Sequence, residues 1–389
     1  MPGMPKQPTY IDFNTGGVAG RRRVVEEGEE GWVPTFNEIP VISCANIHGT
    51  AAERAALAQE IGAACRDVGF FYVRDAQLPP HLVRDTFKTM ERFFAQPDGV
   101  KLDAHWHRSP ACRGYEPFVE SAKGTEAKSG NLRESFAIGD DFLDEEQAYS
   151  GPVPPGTKPQ NLWPSQFPDL RKDLYAYYHH VHAFARALLG IFAIALDLPE
   201  EVFQKQYAAD AITGMRALHY PPQEPDEASP GLGAHTDFSS FTLVCQEPDS
   251  KPGLEVLNLN GHWISAPPLP GCDFVVNVGD FLSQTTNGLW KSTVHRVYNR
   301  TGERRYSLPF FFSPSPDVVI EPLKQFVGGK EGSRYEPMHV GTHYVRRVLN
   351  SRHQHPSSRA VKQAGIPMSE WRYEMMQGLG VPELREEEA

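Results

Sequence analysis

The chain has 389 residues, of which 40% are hydrophobic, and a formal net charge of −11. This length allows one large domain or two smaller ones, and the acidity argues against a nucleic acid or an anionic membrane as a partner. Five scattered cysteines without a C-x-x-C pair argue against a disulfide framework or a zinc–thiolate site, so we expect a reducing, cytoplasmic environment.

The first third of the chain predicts an arm followed by a mixed region. Residues 1–37 are polar and rich in glycine, which predicts a flexible or surface-lying arm. Residues 38–165 predict an N-terminal region of helices and strands. Within it, the Thr50–Glu53 stretch has the spacing of a capping box, which starts a helix, and Phe70–Val73 is typical of a short strand. Pro80 favours the start of a second helix.

The end of this region is rich in loops and leads into a long helix. Two short strands are predicted around Arg113–Tyr115 and Arg133–Phe136, on either side of a flexible loop over residues 121–131. After a proline-rich connector, residues 169–197 keep apolar side chains at a period of 3.6, which predicts one helix that backs a sheet. Its apolar run over residues 187–196 is about half as long as a membrane span.

Between residues 211 and 312 the pattern changes to short strands broken by turns, which is typical of a jelly roll or barrel. We therefore expect a fold that is mainly β with flanking α. Its core is a double-stranded β-helix, jelly-roll or cupin-like, which with the backing helix spans residues 166–320. Residues 321–389 predict a C-terminal helical region that packs on this core and ends in an acidic tail.

The strongest chemical signal is a set of two histidines and one carboxylate. His235 and Asp237 are two residues apart, so on a β-strand their side chains point the same way and can reach one metal ion. His295 comes from a later strand that must lie alongside. Imidazole nitrogen and carboxylate oxygen suit Fe(II), and three ligands on one face leave positions open for substrate and O2.

A second pair repeats this spacing downstream. Arg305 and Ser307 are also two residues apart, and a guanidinium fork beside a hydroxyl is suited to bind a carboxylate. We call this pair the clamp. Arg304 points to the opposite face of the strand and is the better candidate for a surface ion pair.

Three segments together resemble the H-x-D…H…R-x-S signature of the isopenicillin N synthase-like branch of the Fe(II)/2-oxoglutarate-dependent dioxygenase superfamily. These segments are His235-Thr236-Asp237, His295 and Arg305-Tyr306-Ser307. The resemblance covers most of the chain, from residue 38 to residue 320.

Two further segments support the resemblance. Arg216–Pro222 is similar to the R-x-N-Y-Y-P-P segment that precedes the metal strand, and Asn277–Asp280 is similar to the N-x-G-D turn before the second histidine. Leu218 and His219 depart from the pattern, because they replace the usual Asn and Tyr. The resemblance therefore does not extend to a cosubstrate hydrogen bond from these two positions.

The resemblance implies an enzyme that oxidises an unactivated C–H bond by hydroxylation, desaturation or ring formation and releases succinate and CO2. The implied cofactors are Fe(II), 2-oxoglutarate as cosubstrate and O2, with ascorbate as an optional reductant. His235, Asp237 and His295 would hold the metal, and no catalytic residue beyond these ligands is required. Arg305, Ser307 and Tyr220 would bind 2-oxoglutarate.

The substrate cavity is expected to be lined by Arg113, Tyr115, Phe136, Phe238 and Phe312. These largely apolar side chains favour a small organic molecule over a protein, and we expect a substrate of specialised metabolism. The identity of the substrate, the choice among the three oxidation outcomes and the oligomeric state do not follow from the sequence.

Three alternatives share these motifs. An enzyme that resembles isopenicillin N synthase itself, or an ascorbate-using oxidase, would work without 2-oxoglutarate. An ethylene-forming enzyme would fragment 2-oxoglutarate instead. A catalytically silent binding module would keep the fold for sensing or carrying a small molecule, although the intact ligand set and the clamp argue against it.

Overall fold

The computed structural model describes most of the chain. The described residues are 8–15, 18–118, 131–141, 159–207, 210–224, 229–328, 332–378 and 380–382. The loop predicted over residues 121–131 lies outside this part except for Asn131, as does most of the proline-rich connector.

Two β-sheets face each other and form the centre of the molecule. The strands are β1 (Tyr10–Thr15), β2 (Val18–Arg23), β3 (Val41–Ser43), β4 (Phe70–Arg74), β5 (Gly114–Glu116), β6 (Glu134–Gly139), β7 (Ile212–Tyr220), β8 (Pro230–His235), β9 (Phe241–Gln246), β10 (Leu254–Leu257), β11 (Trp263–Ser265), β12 (Phe274–Val278), β13 (His295–Tyr298), β14 (Arg305–Ser313), β15 (Val319–Ile320) and β16 (Met338–His339). The major sheet has the order β3-β4-β12-β9-β14-β7-β6-β5, and the minor sheet has the order β11-β10-β13-β8-β1-β2.

The helices lie outside this pair of sheets. They are α1 (Ala51–Asp67), α2 (Pro80–Phe94), α3 (Asp98–Leu102), α4 (Asp169–Ala195), α5 (Glu201–Tyr207), α6 (Asp280–Thr285), α7 (Val340–Ser351) and α8 (Pro356–Gln363). Thr50 and Glu53 form the predicted capping box at the start of α1. Within the described ranges no helix is both long and apolar enough to cross a membrane.

The major sheet divides the interior into two cores, because successive side chains of a strand point to opposite faces. One face packs against α1, α2 and α4, and Phe136 and Phe312 belong to this larger core. The other face meets the minor sheet, where Leu218 and Tyr220 pack with Val256 and Val297. We call the space between the two sheets the barrel interior. This arrangement confirms the expected double-stranded β-helix with flanking helices.

The N-terminal segment, for which the sequence predicts a flexible or surface arm, contains a hairpin. Its strands β1 and β2 pair antiparallel, and β1 also pairs in parallel with β8, with Asn14 opposite His235. Several of its side chains are exposed, so it is an edge addition to the minor sheet. At the other end of the chain, the predicted C-terminal helical region contains α7 and α8.

Candidate active site

The two histidines and the carboxylate predicted as metal ligands meet at one point of the minor sheet. His235 is the last residue of β8, His295 is the first residue of β13, and the two residues pair directly across these strands. Asp237 follows β8, and its Oδ1 lies 3.5 Å from Nε2 of His235 and 3.8 Å from Nε2 of His295. All three ligand atoms lie within 4.8 Å of one another, a spacing that one metal ion can bridge.

Backbone carbonyls orient both imidazoles. Nδ1 of His235 lies 2.8 Å from the carbonyl oxygen of Gly233, and Nδ1 of His295 lies 3.1 Å from that of Thr293. A proton on Nδ1 satisfies each carbonyl and leaves Nε2 with a free lone pair, as a metal ligand needs. Burial, with His235 nearby, lowers the pKa of His295 to about 4, so this ring is neutral at pH 7.

The two oxygens of Asp237 have different partners. Oδ2 accepts hydrogen bonds from Oγ1 of Thr242 at 2.6 Å and from Nδ2 of Asn277 at 2.9 Å. Burial alone would raise the pKa of Asp237, but the two imidazoles and the hydroxyl group outweigh it and lower the pKa. A charged carboxylate with Oδ1 directed at two imidazole nitrogens is a donor set that fits a divalent cation such as Fe(II).

The predicted clamp lies at the start of β14 in the barrel interior. Arg305 is only 2% exposed; its Nη2 donates to Oε1 of Gln246 at 2.7 Å and its Nη1 donates to Oγ of Ser307 at 3.4 Å. Its guanidinium carbon lies 5.2 Å from the ring centroid of Tyr220, and its buried Nε has no partner among the described residues. Burial lowers the pKa of Arg305, and no carboxylate in the described ranges forms an ion pair with it. A buried guanidinium without a counter-ion is a ready site for an anion.

Three of the residues expected at the substrate cavity lie elsewhere. Tyr115, Phe136 and Phe312 belong to the core between the major sheet and the helices, where Phe93 of α2 contacts the first two and Phe241 stacks on the third. The expectation for these three residues is corrected, because strand alternation turns them away from the metal ligands.

The other two expected cavity residues have different positions. Phe238 directly follows Asp237 and contacts α7, where the ring of Tyr344 lies 5.7 Å away and the guanidinium of Arg347 lies 5.4 Å away. Arg113 donates from Nη1 to the backbone oxygen of Asp140 and to the side chain of Asn161, so its guanidinium fastens the segment after β6. Phe238 therefore lies beside the metal ligands, whereas Arg113 has structural partners.

The departure at positions 218 and 219 has a structural explanation. Leu218 pairs with Ser307 across β7 and β14 and faces the barrel interior, where an apolar side chain offers no hydrogen bond. His219 faces the other way, and its Nδ1 lies 2.7 Å from Oε1 of the buried Glu134, which also pairs with Lys101. Neither residue can therefore replace the family's polar cosubstrate contacts.

Sequence reasoning missed Thr242, which holds the carboxylate of Asp237, and Gln246, which holds the guanidinium of Arg305. Both lie on β9, a strand that the sequence pattern does not predict, and they are four residues apart on the same strand face. The position of Thr242 within five residues of Asp237 is the one local signal that points to it. Asn277 belongs to the turn noted in the sequence, and its contact with Asp237 depends on the pairing of β9 with β12.

Two family models match the chain. The model described as non-haem dioxygenase in morphine synthesis N-terminal matches residues 39–166, and the model described as 2OG-Fe(II) oxygenase superfamily matches residues 211–314. The second match contains the three candidate metal ligands and the clamp.

Curated relatives and solved structures show the same similarity. The chain is 34% identical to the 2-oxoglutarate-Fe(II) type oxidoreductase hxnY of Emericella nidulans, over 77% of this chain and 86% of the relative. It is 32% identical to the clavatol oxidase claD of Penicillium crustosum, over 82% of this chain and 96% of the relative. Among solved structures, a full-length Neurospora crassa protein in complex with alpha-KG matches with a TM-score of 0.69 and 26% identity, over 80% of this chain and 95% of that chain.

Proposed function

Because the chain belongs to the 2OG-Fe(II) oxygenase superfamily, we propose how its own residues perform the oxygenase reaction and which class of molecule they act on. The enzyme is an Fe(II)- and 2-oxoglutarate-dependent oxidoreductase. The proposal concerns the ligands of the iron, the residues that bind the cosubstrate and the nature of the substrate.

In this proposal His235, Asp237 and His295 hold the iron, and Arg305, Ser307 and Tyr220 hold the distal carboxylate of 2-oxoglutarate. The observation that carries it is the buried Arg305 guanidinium, which has no carboxylate partner among the described residues although it lies in the same barrel interior as the metal ligands. A charge-assisted pair with an incoming carboxylate contributes about 1.5–3 kcal/mol.

The bound iron and cosubstrate supply the activation of O2, with oxidation of 2-oxoglutarate to succinate and CO2 and oxidation of a substrate C–H bond. The protein supplies orientation. Gly233 and Thr293 fix the two imidazoles, Thr242 fixes the carboxylate, and Gln246 holds the guanidinium of Arg305 in the direction of the cosubstrate. No side chain has to transfer a proton.

The proposed substrate is a small organic molecule, and the proposed setting is specialised metabolism. The names of several relatives support this choice, including the clavatol oxidase of Penicillium crustosum and the homoarginine-6-hydroxylase of Arabidopsis thaliana. Phe238 beside the metal ligands and Phe311, which shares the strand face of Arg305 and Ser307, are the aromatic side chains proposed to contact the substrate.

An anaerobic titration tests this proposal. Fe(II) is added to the protein, followed by 2-oxoglutarate, and the weak visible metal-to-ligand charge-transfer band is recorded. Arg305→Lys keeps the charge but loses the fork, so we expect about tenfold or weaker 2-oxoglutarate affinity while iron stays bound. Arg304→Lys, directly before Arg305 in the chain and in an ion pair with Glu247 at the surface, is the matched control and should behave like the wild type.

Three results would contradict the proposal. Unchanged 2-oxoglutarate affinity in Arg305→Lys would refute the clamp, and iron affinity unchanged in His235→Ala would refute the ligand set. Iron binding without the band would favour an oxidase that works without 2-oxoglutarate, and Arg305 would then hold a carboxylate of the substrate itself.

A further inference from the structure

A second group of buried arginines lies in the barrel, apart from the clamp. Arg216 on β7 donates from Nη1 to Oε2 of Glu116 at 2.8 Å, and Oγ of Ser135 donates to the same oxygen at 3.1 Å. Arg352, which follows α7, places its Nη1 3.8 Å from Oε1 of Glu116. The side chains of Glu116, Arg216 and Arg352 are 12%, 15% and 16% exposed, so all three are largely removed from water.

Arg133 adds a third guanidinium to this group. Its Nη1 donates to the backbone oxygen of Gly231 at 3.3 Å, and it has no ion pair within the part of the chain that the structure describes. The Nε atoms of Arg133 and Arg352 are buried without a hydrogen-bond partner in that same part. The group therefore has unused donors as well as unused charge.

The charges of this group do not balance. Two guanidiniums pair with the single carboxylate of Glu116, and Arg133 lies two residues before Ser135, which donates to the same carboxylate. These residues therefore carry a surplus of two positive charges. Burial alone would raise the pKa of Glu116, but Arg352, Arg216 and Arg133 lower it to about 2. Burial lowers the pKa of Arg216 to about 9, and the like charge of Arg352 acts in the same direction. Buried charges of one sign are costly unless a counter-ion binds.

The strand order places this group on the substrate side of the barrel. Arg216, Leu218 and Tyr220 share one face of β7, and Tyr220 lies against Arg305 at the cosubstrate end. At about 3.3 Å per residue, Arg216 lies about 13 Å from Tyr220 along the strand. The clamp and the arginine group are therefore separated along one wall of the barrel.

Tyr344 of α7 links the arginine group to the metal ligands. It packs on the core cluster that contains Trp106. The guanidinium of Arg352 lies 5.2 Å from the centroid of the Trp106 ring, so Tyr344 and Arg352 border the same cluster. The ring of Tyr344 also contacts Phe238, which adjoins Asp237. A small molecule that extends from the metal ligands past Phe238 and Tyr344 would reach Arg216 and Arg352.

We infer that Arg216, Arg352 and Arg133 form an anion subsite and that the substrate of this oxygenase carries a carboxylate group that binds there. The planar guanidinium forks match a carboxylate in geometry as well as in charge. Glu116 holds the forks in position when the subsite is empty, and it limits the affinity because it competes for the same donors. The inference rests on the proposed function, since it identifies the class of molecule that this site accepts.

The test measures binding and needs no turnover. Full-length protein is loaded with Zn²⁺ in place of iron and saturated with 2-oxoglutarate, so that the Arg305 clamp is occupied. Ligand-observed NMR then compares benzoate with benzamide and hexanoate with hexanamide. We expect at least one carboxylate to bind about tenfold more tightly than its amide, in line with a buried charge-assisted pair.

Two variants should change this preference in opposite directions. Arg352→Gln should weaken carboxylate binding about tenfold, whereas Glu116→Gln should strengthen it, because it removes the competing negative charge. General loss of structure cannot produce tighter binding. Arg304→Gln, which removes an exposed arginine, is the control and should leave the preference unchanged.

The outcomes separate this inference from the function on which it rests. If 2-oxoglutarate binds but neither carboxylate binds better than its amide, the anion subsite is wrong and the oxygenase proposal stands. If Glu116→Gln weakens carboxylate binding, the subsite is likewise wrong, since Glu116 would then assist the ligand. If 2-oxoglutarate itself does not bind, the proposed clamp is wrong, and with it the function on which this inference rests.

Discussion

At the scale of single residues, the two oxygens of Asp237 perform different tasks. Thr242 and Asn277 occupy Oδ2, so that Oδ1 alone faces the two histidines. A carboxylate held in this way does not have to give up rotational freedom when the metal binds, and its charge is already stabilised. Partners of this kind typically change metal affinity by about 10- to 100-fold.

Thr242→Val tests this role. It removes the hydroxyl group with little change in volume, so we expect Fe(II) affinity to fall by about tenfold or more while the fold is retained. Anaerobic titration of Fe(II), monitored by calorimetry, measures the change. Thr242→Ser keeps the hydroxyl group and is the matched control, and equal iron affinities in the two variants would contradict the assigned role.

The sequence predicts the ligand set and the clamp because both depend on spacing within one strand. Side chains two residues apart on a strand lie on the same face. This rule places His235 beside Asp237 and Arg305 beside Ser307. The partners Thr242, Gln246 and Asn277 depend instead on how separate strands align, and no local pattern encodes that alignment. The same local rule corrects the cavity position expected for Phe312. This residue lies an odd number of positions from Arg305 on β14, so it faces the helices and not the clamp.

At the scale of secondary structure, the N-terminal hairpin extends the sheet that carries the proposed metal ligands. The backbone N–H of Thr236, between His235 and Asp237, donates to the backbone oxygen of Asn14 at 3.1 Å. Arg22 on β2 donates to the backbone oxygens of Leu257 and Asn258, so the hairpin also contacts the loop after β10. Without the hairpin, the edge of β8 would be open at the point where two ligands lie, and open strand edges fray.

Removal of residues 1–23 should therefore loosen the metal strand. We expect the amide hydrogen of Thr236 to exchange about tenfold faster, because local opening costs less free energy, and Fe(II) affinity to fall with it. Hydrogen-exchange mass spectrometry of the segment around β8 measures this directly. Arg21→Gln, which removes the exposed contacts of this side chain with Asp12 and the Tyr10 ring, should change neither quantity. Unchanged exchange at Thr236 in the shortened protein would show that the hairpin is not needed there.

This hairpin cannot be predicted from composition. Its residues are mostly polar or exposed, as in an edge strand, and its partner β8 lies more than two hundred residues later in the chain. The long amphipathic helix α4, by contrast, can be predicted almost to its ends, because burial along one face leaves a local signature of 3.6 residues. Local periodicity is readable in a sequence, whereas long-range pairing of exposed strands is not.

At the scale of the whole molecule, one buried histidine fastens the C-terminal helices to the N-terminal half. Nε2 of His355 lies 3.0 Å from the backbone oxygen of Ser109 and 3.3 Å from that of Trp106, while its Nδ1 accepts from the backbone N–H of Ser357 at the start of α8. These bonds require the neutral ring with its proton on Nε2. Burial, with His107 and Arg352 nearby, lowers the pKa of His355 to about 4.

This contact should make stability depend on pH. The ordinary pKa of 6.5 applies when the protein is unfolded, so the unfolded chain binds the proton more readily than the native one. Stability from this residue is therefore complete above pH 6.5 and falls as the pH drops towards 4. The side chain of His355→Gln stays neutral. In urea unfolding, its free energy of unfolding should therefore depend less steeply on pH across this interval, by the equivalent of about one bound proton. His180→Gln, at an exposed position on α4, is the control, and an identical dependence in wild type and His355→Gln would contradict the prediction.

The first family model begins at residue 39 and the second ends at residue 314. The N-terminal hairpin and α7 therefore lie outside both matched regions. The strands inside the matched regions carry the proposed metal ligands and the proposed clamp, while Tyr344, Arg347 and Arg352 lie beyond them in the chain. Replacement of the final seventy-odd residues would alter one side of the proposed substrate site, with Tyr344 and Arg352, and would leave Phe238, Arg216, the proposed metal ligands and the clamp unchanged.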